Sequence, residues 1–322
     1  MKAVRRDDMT NKIDNGGAIA IKGFNYQKAS IILVIINNYQ RDGFSVIPEA
    51  DDDFQVHVDG KNIFIQVKGE KSITLNKLVS KQIIEKNLVP GQDDDTRKIF
   101  VWDIGKSFQK ELIENKIGNI ISPLLKYSDA DSKKVISDLN LDVNQQKRLG
   151  NQFLYKTPFT NDLTEAIKRL FGEMVIQELH INNESGRALL AELTLMIDQK
   201  SEIILHGDNY HEKVIDGEYL KNIFVRVEQF KMFDEILDKL PYNALKREKI
   251  KHERTKILIG HQNIKKKVKD DCGSLDLENL TEHELVNQIV EIVRSHDNTI
   301  SNDNLMIAIA TECLCELWGD EL

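Results

Sequence analysis

Apolar residues occupy every second position over residues 54–58 and again over residues 63–67. An alternation of period two is typical of β-strands that bury one face. The segment between them, Asp59-Gly60-Lys61-Asn62, has glycine at the first position of a two-residue loop. This arrangement favours a type II′ turn at Gly60 and Lys61. The pattern therefore predicts a β-hairpin.

The predicted turn sets the register of the hairpin. With residues 60–61 in the loop, Asp53 lies opposite Lys68 and Gln55 lies opposite Gln66. The aliphatic side chains then share one face, and these four polar side chains share the other. The sequence thus predicts a carboxylate, an amide and an ammonium group side by side at the open end of the hairpin.

The neighbouring segments predict an α/β core around this hairpin. Segments with helical spacing of apolar residues alternate with short apolar runs along the chain, and a proline-glycine pair marks a loop between two of them. We expect helices over 18–39 and 73–87, strands over 44–48, 98–102 and 153–159, and helical segments within 107–142.

From about residue 161 the apolar spacing is helical throughout, with no predicted strand. The candidate helices cover 161–179, 184–199, 216–239, 281–295 and 302–318. We therefore expect a loose N-terminus over 1–14, an α/β domain over 15–160 and an α-helical domain over 161–322 that serves partner docking or oligomerisation.

Composition restricts the class of protein. The 322 residues are 41% hydrophobic and 30% charged, as in globular proteins, and the net charge is −8. An acidic average means that any contact with nucleic acid depends on local patches. Three cysteines are too few for a disulfide scaffold and favour reduced, structural thiols in a cytoplasmic protein. The chain contains no apolar run of 18 residues, so no transmembrane helix is predicted.

One basic segment, residues 246–269, holds ten lysines and arginines and two glutamates. It is interpreted as a surface that follows phosphates or docks an acidic partner, with a solvated helix and loop as the plain alternative. The candidate residues are Lys246, Arg247, Lys249, Lys251, Arg254, Lys265, Lys266 and Lys267.

The polar face of the hairpin suits phosphodiester hydrolysis with Mg²⁺ or Mn²⁺. Hard divalent cations prefer oxygen ligands, which Asp53, the Gln66 amide and the Val67 carbonyl can supply. Lys68 can orient or deprotonate water, or stabilise developing charge on the phosphate. Asp51 and Asp52 are expected to be solvated, with a second metal contact as the alternative. An exposed hairpin with a polar outer face remains the alternative.

A wider set of residues resembles a known family. The segment from Gly17 to Gln27, followed by Glu49, Asp53-Phe-Gln-Val and Ile65-Gln-Val-Lys68, resembles the DUF4297-like endonuclease domain of the PD-(D/E)xK group. Effector nucleases of the CBASS and Lamassu anti-phage systems carry this domain at the N-terminus. The resemblance is clear over residues 15–105. It implies a metal and catalytic role for Asp53, Gln66 and Lys68.

The same resemblance implies further residues and partners. Glu49 becomes an additional metal ligand, and Gln27 reaches the site from the first helix. The expected activity is Mg²⁺-dependent cleavage of double-stranded DNA, and a homo-oligomer is left open.

Residues 161–322 do not resemble the domain with which CBASS effectors sense a cyclic oligonucleotide. A nuclease domain followed by a helical region favours the nuclease subunit of a Lamassu complex. Such a complex also contains an SMC-like ATPase and an accessory subunit. The alternatives are a catalytically weak nuclease fold that binds nucleic acid or assists assembly, a CBASS-type effector activated by a nucleotide, and RNA as substrate.

Overall fold

The computed structural model describes residues 15–115, 120–179, 181–206 and 209–321. Eight strands form one mixed sheet. They are β1 Ser45–Pro48, β2 Phe54–Val58, β3 Lys61–Lys68, β4 Thr96–Val101, β5 Ile113–Asn115, β6 Leu124–Lys126, β7 Gln152–Lys156 and β8 Ile215–Asp216.

Thirteen α-helices lie within the described residues. They are α1 Gly16–Asn38, α2 Leu75–Ser80, α3 Ile83–Leu88, α4 Lys106–Glu111, α5 Asp129–Leu139, α6 Val143–Gly150, α7 Leu163–Ile176, α8 Asn183–Ser201, α9 Gly217–Lys239, α10 Ala244–Lys256, α11 Gln262–Asp271, α12 Glu282–His296 and α13 Asp303–Glu321. A π-helical segment, Ile257–His261, joins α10 to α11.

The sheet has the strand order β5-β6-β7-β4-β3-β2-β1-β8. The strands β1, β2 and β3 form an antiparallel meander, whereas β4 runs parallel to both β3 and β7. The connection from β3 to β4 passes through α2 and α3, as a parallel pair requires. The predicted hairpin is therefore the centre of an α/β core, as the sequence pattern indicated.

The hairpin turn differs from the predicted one. Val58 pairs with Lys61, so the loop is Asp59-Gly60, and both residues have positive φ, 51° and 72°. These values define a type I′ turn, for which Asp-Gly is a favoured pair. The prediction of a type II′ turn at Gly60 and Lys61 was wrong because the sequence fits both loops and only the pairing distinguishes them.

The register shifts with the turn. Phe54 pairs with Ile65 and Gln55 pairs with Phe64, which places Asp53 opposite Gln66 instead of Lys68. Because the shift is two residues, every side chain stays on its predicted face. The composition of the polar face was thus predicted correctly from the wrong register.

Both faces of the sheet are covered. The C-terminal half of α1, from Ile31 to Ile36, is buried and packs against β1 and β3. On the opposite face, Ile99, Val101 and Leu154 join a core with residues of α2, α3 and α5. The polar face of the hairpin is therefore largely an interior surface, on which Gln55 and Gln66 are buried and Asp53 and Lys68 are partly exposed.

Among the described helices, α1 alone is long and apolar enough to cross a membrane by length and composition. Half of its apolar window is buried within the protein. The buried residues lie in the C-terminal part of the helix, from Tyr26 to Asn38.

The described chain divides into two compact units. The first takes in the chain up to Leu179 together with Glu192–Leu220, and the second takes in the chain from residue 181 to Ala191 together with the chain from Lys221 onward. The expected α/β domain over 15–160 lies within the first unit. That unit also holds α7, the end of α8 and β8, whose two residues carry no recognisable alternation.

Other local predictions also need correction. The single helix expected over 73–87 is two short helices, separated where Gln82 adopts φ 57°. The helical segments expected within 107–142 include the strands β5 and β6. The basic segment, for which a solvated helix and loop was the alternative, forms two helices, α10 and α11. The three cysteines are buried and free, as expected of structural thiols.

Candidate active site

Asp53 lies at the start of β2, beside the end of β3. Its carboxylate oxygen Oδ2 accepts a hydrogen bond from the Val67 backbone N–H at 2.6 Å and lies 3.4 Å from Lys68 Nζ. The side chains of Asp53 and Lys68 are each about one-quarter exposed. Among the described residues, these hydrogen bonds reach only Oδ2, so the other oxygen of Asp53 is available to a ligand.

Gln66 lies on the same face and is 6% exposed. Its side-chain oxygen Oε1 is buried and has no hydrogen-bond partner among the described residues. A buried acceptor without a partner is rare in native proteins and destabilises the fold, which indicates a ligand at this position.

Gln27 connects α1 to the loop before β2. Its Nε2 atom donates to the Glu49 carboxylate at 2.6 Å and to the Asp53 carbonyl at 2.9 Å. Glu49 adopts φ 48°, and its N–H donates to the Asp53 carbonyl. The structure thus brings Gln27, Glu49 and Asp53 together, although they are up to 26 residues apart in sequence.

The two aspartates before Asp53 have different environments. Asp51 is exposed, as expected, but Asp52 is partly buried and accepts hydrogen bonds from the Asp53 N–H and from Asn87 Nδ2. Burial raises the pKa of Asp52 to about 6, against the opposing effect of the Asn87 hydrogen bond. The expectation that Asp52 is solvated was wrong because α3 brings Asn87 against it.

Two residues near the site were not identified from the sequence. Asn87 lies 35 residues from Asp52, and Tyr210, whose hydroxyl donates to Gln55 Oε1 at 2.5 Å, lies 155 residues from its partner. Neither residue belongs to a local motif. Only the tertiary structure reveals them.

A cavity of about 670 Å³ adjoins these residues in the first unit. Its lining includes the polar residues Gln27 and Glu49 and the apolar residues Ile197 and Ile204. Lys28 and Asp198 also line it and form an ion pair, with Lys28 Nζ at 3.1 Å and 3.2 Å from the two carboxylate oxygens. The cavity therefore has a lining of mixed polar and apolar character and reaches the supporting residues Gln27 and Glu49.

The basic residues of the second unit do not form one free patch. Four of the eight candidates pair with acidic residues of the same unit, namely Arg247 with Asp238, Lys251 with Asp234, Arg254 with Glu312, and Lys265 with Glu316. Lys246 lies over the Tyr242 ring. Lys249, Lys266 and Lys267 are exposed and have no ion pair among the described residues.

The donor set at Asp53 fits a hard divalent cation. The described residues contain no cluster of three or more His, Cys, Asp or Glu side chains that would hold a metal ion. An ion at this position would instead be held by the Asp53 carboxylate and the partnerless Gln66 oxygen, with Glu49 and the Val67 carbonyl as further oxygen donors. Oxygen donors of this kind suit Mg²⁺ or Mn²⁺ and not zinc.

Comparison with known proteins gives a family match for the segment that contains the candidate site. Residues 15–89 match the family model described as the Cap4 dsDNA endonuclease domain. A solved Cap4 receptor with a SAVED/CARF domain, from Moraxella osloensis, aligns over 64% of this chain and 47% of its own at a TM-score of 0.43 and 11% identity. This chain thus spans about half of that protein.

A curated relative covers nearly the whole chain. The Lamassu protein LmuA from a Bacillus species is 43% identical over 312 residues, which are 95% of this chain and 99% of the relative. This likeness covers nearly the whole chain, and the segment that forms the candidate site matches the Cap4 nuclease model. The chain therefore belongs to the LmuA family of Lamassu anti-phage nuclease effectors.

Proposed function

We propose that this protein is an Mg²⁺-dependent endonuclease for double-stranded DNA and the nuclease subunit of a Lamassu-type complex. The observation that carries the proposal is the convergence of Asp53, Gln66 and Lys68, with the buried Gln66 oxygen left without a partner among the described residues. An interior surface with an orphan acceptor, a carboxylate and an ammonium group is unfavourable for folding alone. It is useful where a cation and a phosphate bind.

Each residue has a separate task in this proposal. Asp53 and Gln66 hold the cation, with Glu49 and the Val67 carbonyl as additional donors. When bound, Mg²⁺ supplies positive charge that polarises the scissile phosphate and favours attack by water. Lys68 orients the attacking water and stabilises negative charge that develops on the phosphate oxygens. Gln27 keeps the loop from Glu49 to Asp53 against α1.

Double-stranded DNA is the proposed substrate because the matching family model describes a dsDNA endonuclease domain. The phosphate chemistry is the same for RNA, so the cleavage experiment includes both. The near full-length likeness to LmuA favours a Lamassu complex over a CBASS effector activated by a nucleotide. The SMC-like ATPase, the accessory subunit and a cytoplasmic location belong to this proposal.

Control of the activity is assigned to the complex. An unrestrained nuclease would damage the genome of its own cell. We therefore propose that the assembled complex holds the site inactive until a partner detects infection, and that the helical second unit docks on the partner.

Plasmid cleavage by the purified chain, with Mg²⁺ or Mn²⁺ and with or without the partner subunits, tests the proposal. Asp53→Asn and Lys68→Ala should each abolish cleavage and phage protection. Asp51→Asn is the matched control, because this neighbouring aspartate is exposed and should leave both intact. Full cleavage by either site variant would show that the site is assigned wrongly.

A second candidate function is a catalytically weak nuclease fold that binds nucleic acid or assists assembly. The observation that favours it is the small number of charged ligands among the described residues of the site. Calorimetric titration separates the two candidates. Metal binding that is lost in Asp53→Asn supports the nuclease, whereas DNA binding without any binding of millimolar Mg²⁺ or Mn²⁺ supports the weaker role.

A further inference from the structure

A chain of hydrogen bonds runs from the candidate site into the interior of the first unit. Asp52 begins it, because its Oδ1 atom accepts the Asp53 N–H at 3.0 Å and its Oδ2 atom accepts Asn87 Nδ2. Asn87 lies on α3 and is fully buried. Its Nδ2 atom also lies 3.4 Å from the Phe64 carbonyl of β3, the strand that carries Gln66.

The chain continues beyond Asn87. Gln152 of β7, also fully buried, donates from Nε2 to Asn87 Oδ1 at 2.8 Å. The Tyr127 hydroxyl donates to Gln152 Oε1 at 3.1 Å. The groups that can only accept set the direction of the series. Asn87 presents its nitrogen to the Asp52 carboxylate and the Phe64 carbonyl, and Gln152 presents its nitrogen to the Ile84 carbonyl and to Asn87 Oδ1.

The arrangement has more polar groups than packing requires. Four buried or partly buried polar side chains from four segments are satisfied by one another, and apolar residues of similar size would fill the same space. A fully satisfied network of this kind fixes the geometry of the groups at its end. The group at its end is the backbone of Asp53, whose carboxylate meets Val67 and Lys68.

We propose that Asn87 is a positioning residue for the nuclease reaction. It holds Asp52, and Asp52 fixes the Asp53 backbone so that the Asp53 carboxylate stays beside Gln66 and Lys68. The inference rests on the proposed function for its catalytic consequence. The positioning itself is a property of the folded chain and can be measured without DNA.

An exchange of side chains between the two positions tests the proposal. Asn87→Asp places two carboxylates against each other and should release the loop. The double variant D52N/N87D restores a donor and an acceptor between the two positions: residue 52 donates from its new amide, and residue 87 still accepts from Gln152. It does not restore the contact with the Phe64 carbonyl. We expect Asn87→Asp to lower kcat for plasmid cleavage by roughly 10- to 100-fold, with little change in KM, and the double variant to recover part of it.

Hydrogen–deuterium exchange provides the readout that does not depend on activity. The segment Glu49–Asp53 should exchange faster in Asn87→Asp and should return towards the wild-type rate in D52N/N87D. Asn151→Asp is the matched control, because this amide donates to the Asp93 carbonyl and, among the described residues, hydrogen-bonds to none of the candidate site. It should leave the exchange of Glu49–Asp53 and kcat unchanged.

The outcomes separate the two proposals. Unchanged exchange of Glu49–Asp53 in a folded Asn87→Asp variant overturns the positioning role, whatever happens to cleavage. If Asn87→Asp does not fold, Asn87→Ala decides, since unchanged exchange of Glu49–Asp53 in that folded variant also overturns the positioning role. Faster exchange in Asn87→Asp, reversed in the double variant, supports positioning even if the wild-type complex cuts no DNA, in which case only the proposed function fails.

Discussion

At the scale of single residues, Gln66 gives the candidate site a neutral oxygen where a glutamate would add a charge. Its Oε1 atom is buried without a partner among the described residues. An unsatisfied buried acceptor destabilises a fold by roughly 1–3 kcal/mol. The same atom is a good ligand for a hard cation. Stability and activity therefore make opposite demands on this residue.

Gln66→Met should separate these demands. The substitution keeps the volume and removes the oxygen, so we expect about 1 kcal/mol of added stability without metal. Plasmid cleavage should fall by roughly 100-fold. Urea unfolding in EDTA and a cleavage assay measure the two effects. A less stable Gln66→Met protein would mean that the oxygen has a partner in the folded chain. Gln66→Glu should instead lower the Mg²⁺ concentration that gives half-maximal cleavage.

At the scale of secondary-structure elements, the sequence predicted the hairpin and its faces but neither its turn nor its surroundings. The alternation over 54–58 and 63–67 fixes which side chains share a face, and a shift of two residues leaves that unchanged. The pattern does not show that helices cover the polar face. Asn87 and Asp52 were therefore missed, because their contact depends on where α3 packs.

The type I′ turn makes a prediction about two glycines. Gly60 has φ 72°, which an alanine adopts only with strain, whereas Gly23 lies inside the exposed part of α1 with open space around it. We expect Gly60→Ala to destabilise the protein by about 1 kcal/mol and Gly23→Ala to stabilise it by about 0.5–1 kcal/mol. Thermal unfolding of both variants checks this, and a neutral Gly60→Ala would argue against the turn.

The strand β4 carries an unusual residue in the core, Lys98. Its side chain is fully buried, and its Nζ atom has no hydrogen-bond partner among the described residues. Burial lowers the pKa of Lys98 to about 7, and the positive charge of Arg41 adds to the effect. In the unfolded chain the pKa is about 10.4. Between these values the unfolded state binds a proton that the folded state lacks, so the stability contribution of Lys98 increases with pH.

Lys98→Met should therefore stabilise the protein most below pH 7, where the folded state must bury the charged ammonium. The gain over wild type should shrink by about 1.4 kcal/mol for each pH unit from pH 7 towards pH 10. Urea unfolding at pH 6.5, 8 and 9.5 measures the difference between the two proteins. Lys110→Met, at an exposed lysine of α4, is the control and should give a difference that does not change with pH. A constant gain for Lys98→Met would contradict a neutral buried amine.

At the scale of the whole molecule, the acidic average and the basic segment have to be considered together. The net charge of −8 opposes approach to DNA, so binding depends on local groups of cations that are not already neutralised. The sequence identified the basic segment but could not show that α9 and α13 bring Asp234, Asp238, Glu312 and Glu316 against it. The ion pairs assign half of the eight candidate basic residues to the structure of the second unit.

The exposed and the paired residues should consequently behave differently. Replacing Lys249, Lys266 and Lys267 by glutamine should leave thermal stability nearly unchanged and weaken DNA binding. The slope of log affinity against log salt should fall by about 0.9 for each phosphate that the variant no longer neutralises. Arg254→Met should instead lower thermal stability and leave DNA binding nearly unchanged. Arg254 pairs with Glu312 and lies 3.9 Å from the centre of the Phe230 ring, so its loss should destabilise the second unit by roughly 2–4 kcal/mol. Salt-dependent DNA titration and thermal unfolding of the two variants make the test. An unchanged salt slope in the triple variant would remove these lysines from the DNA surface and leave them to an acidic protein partner.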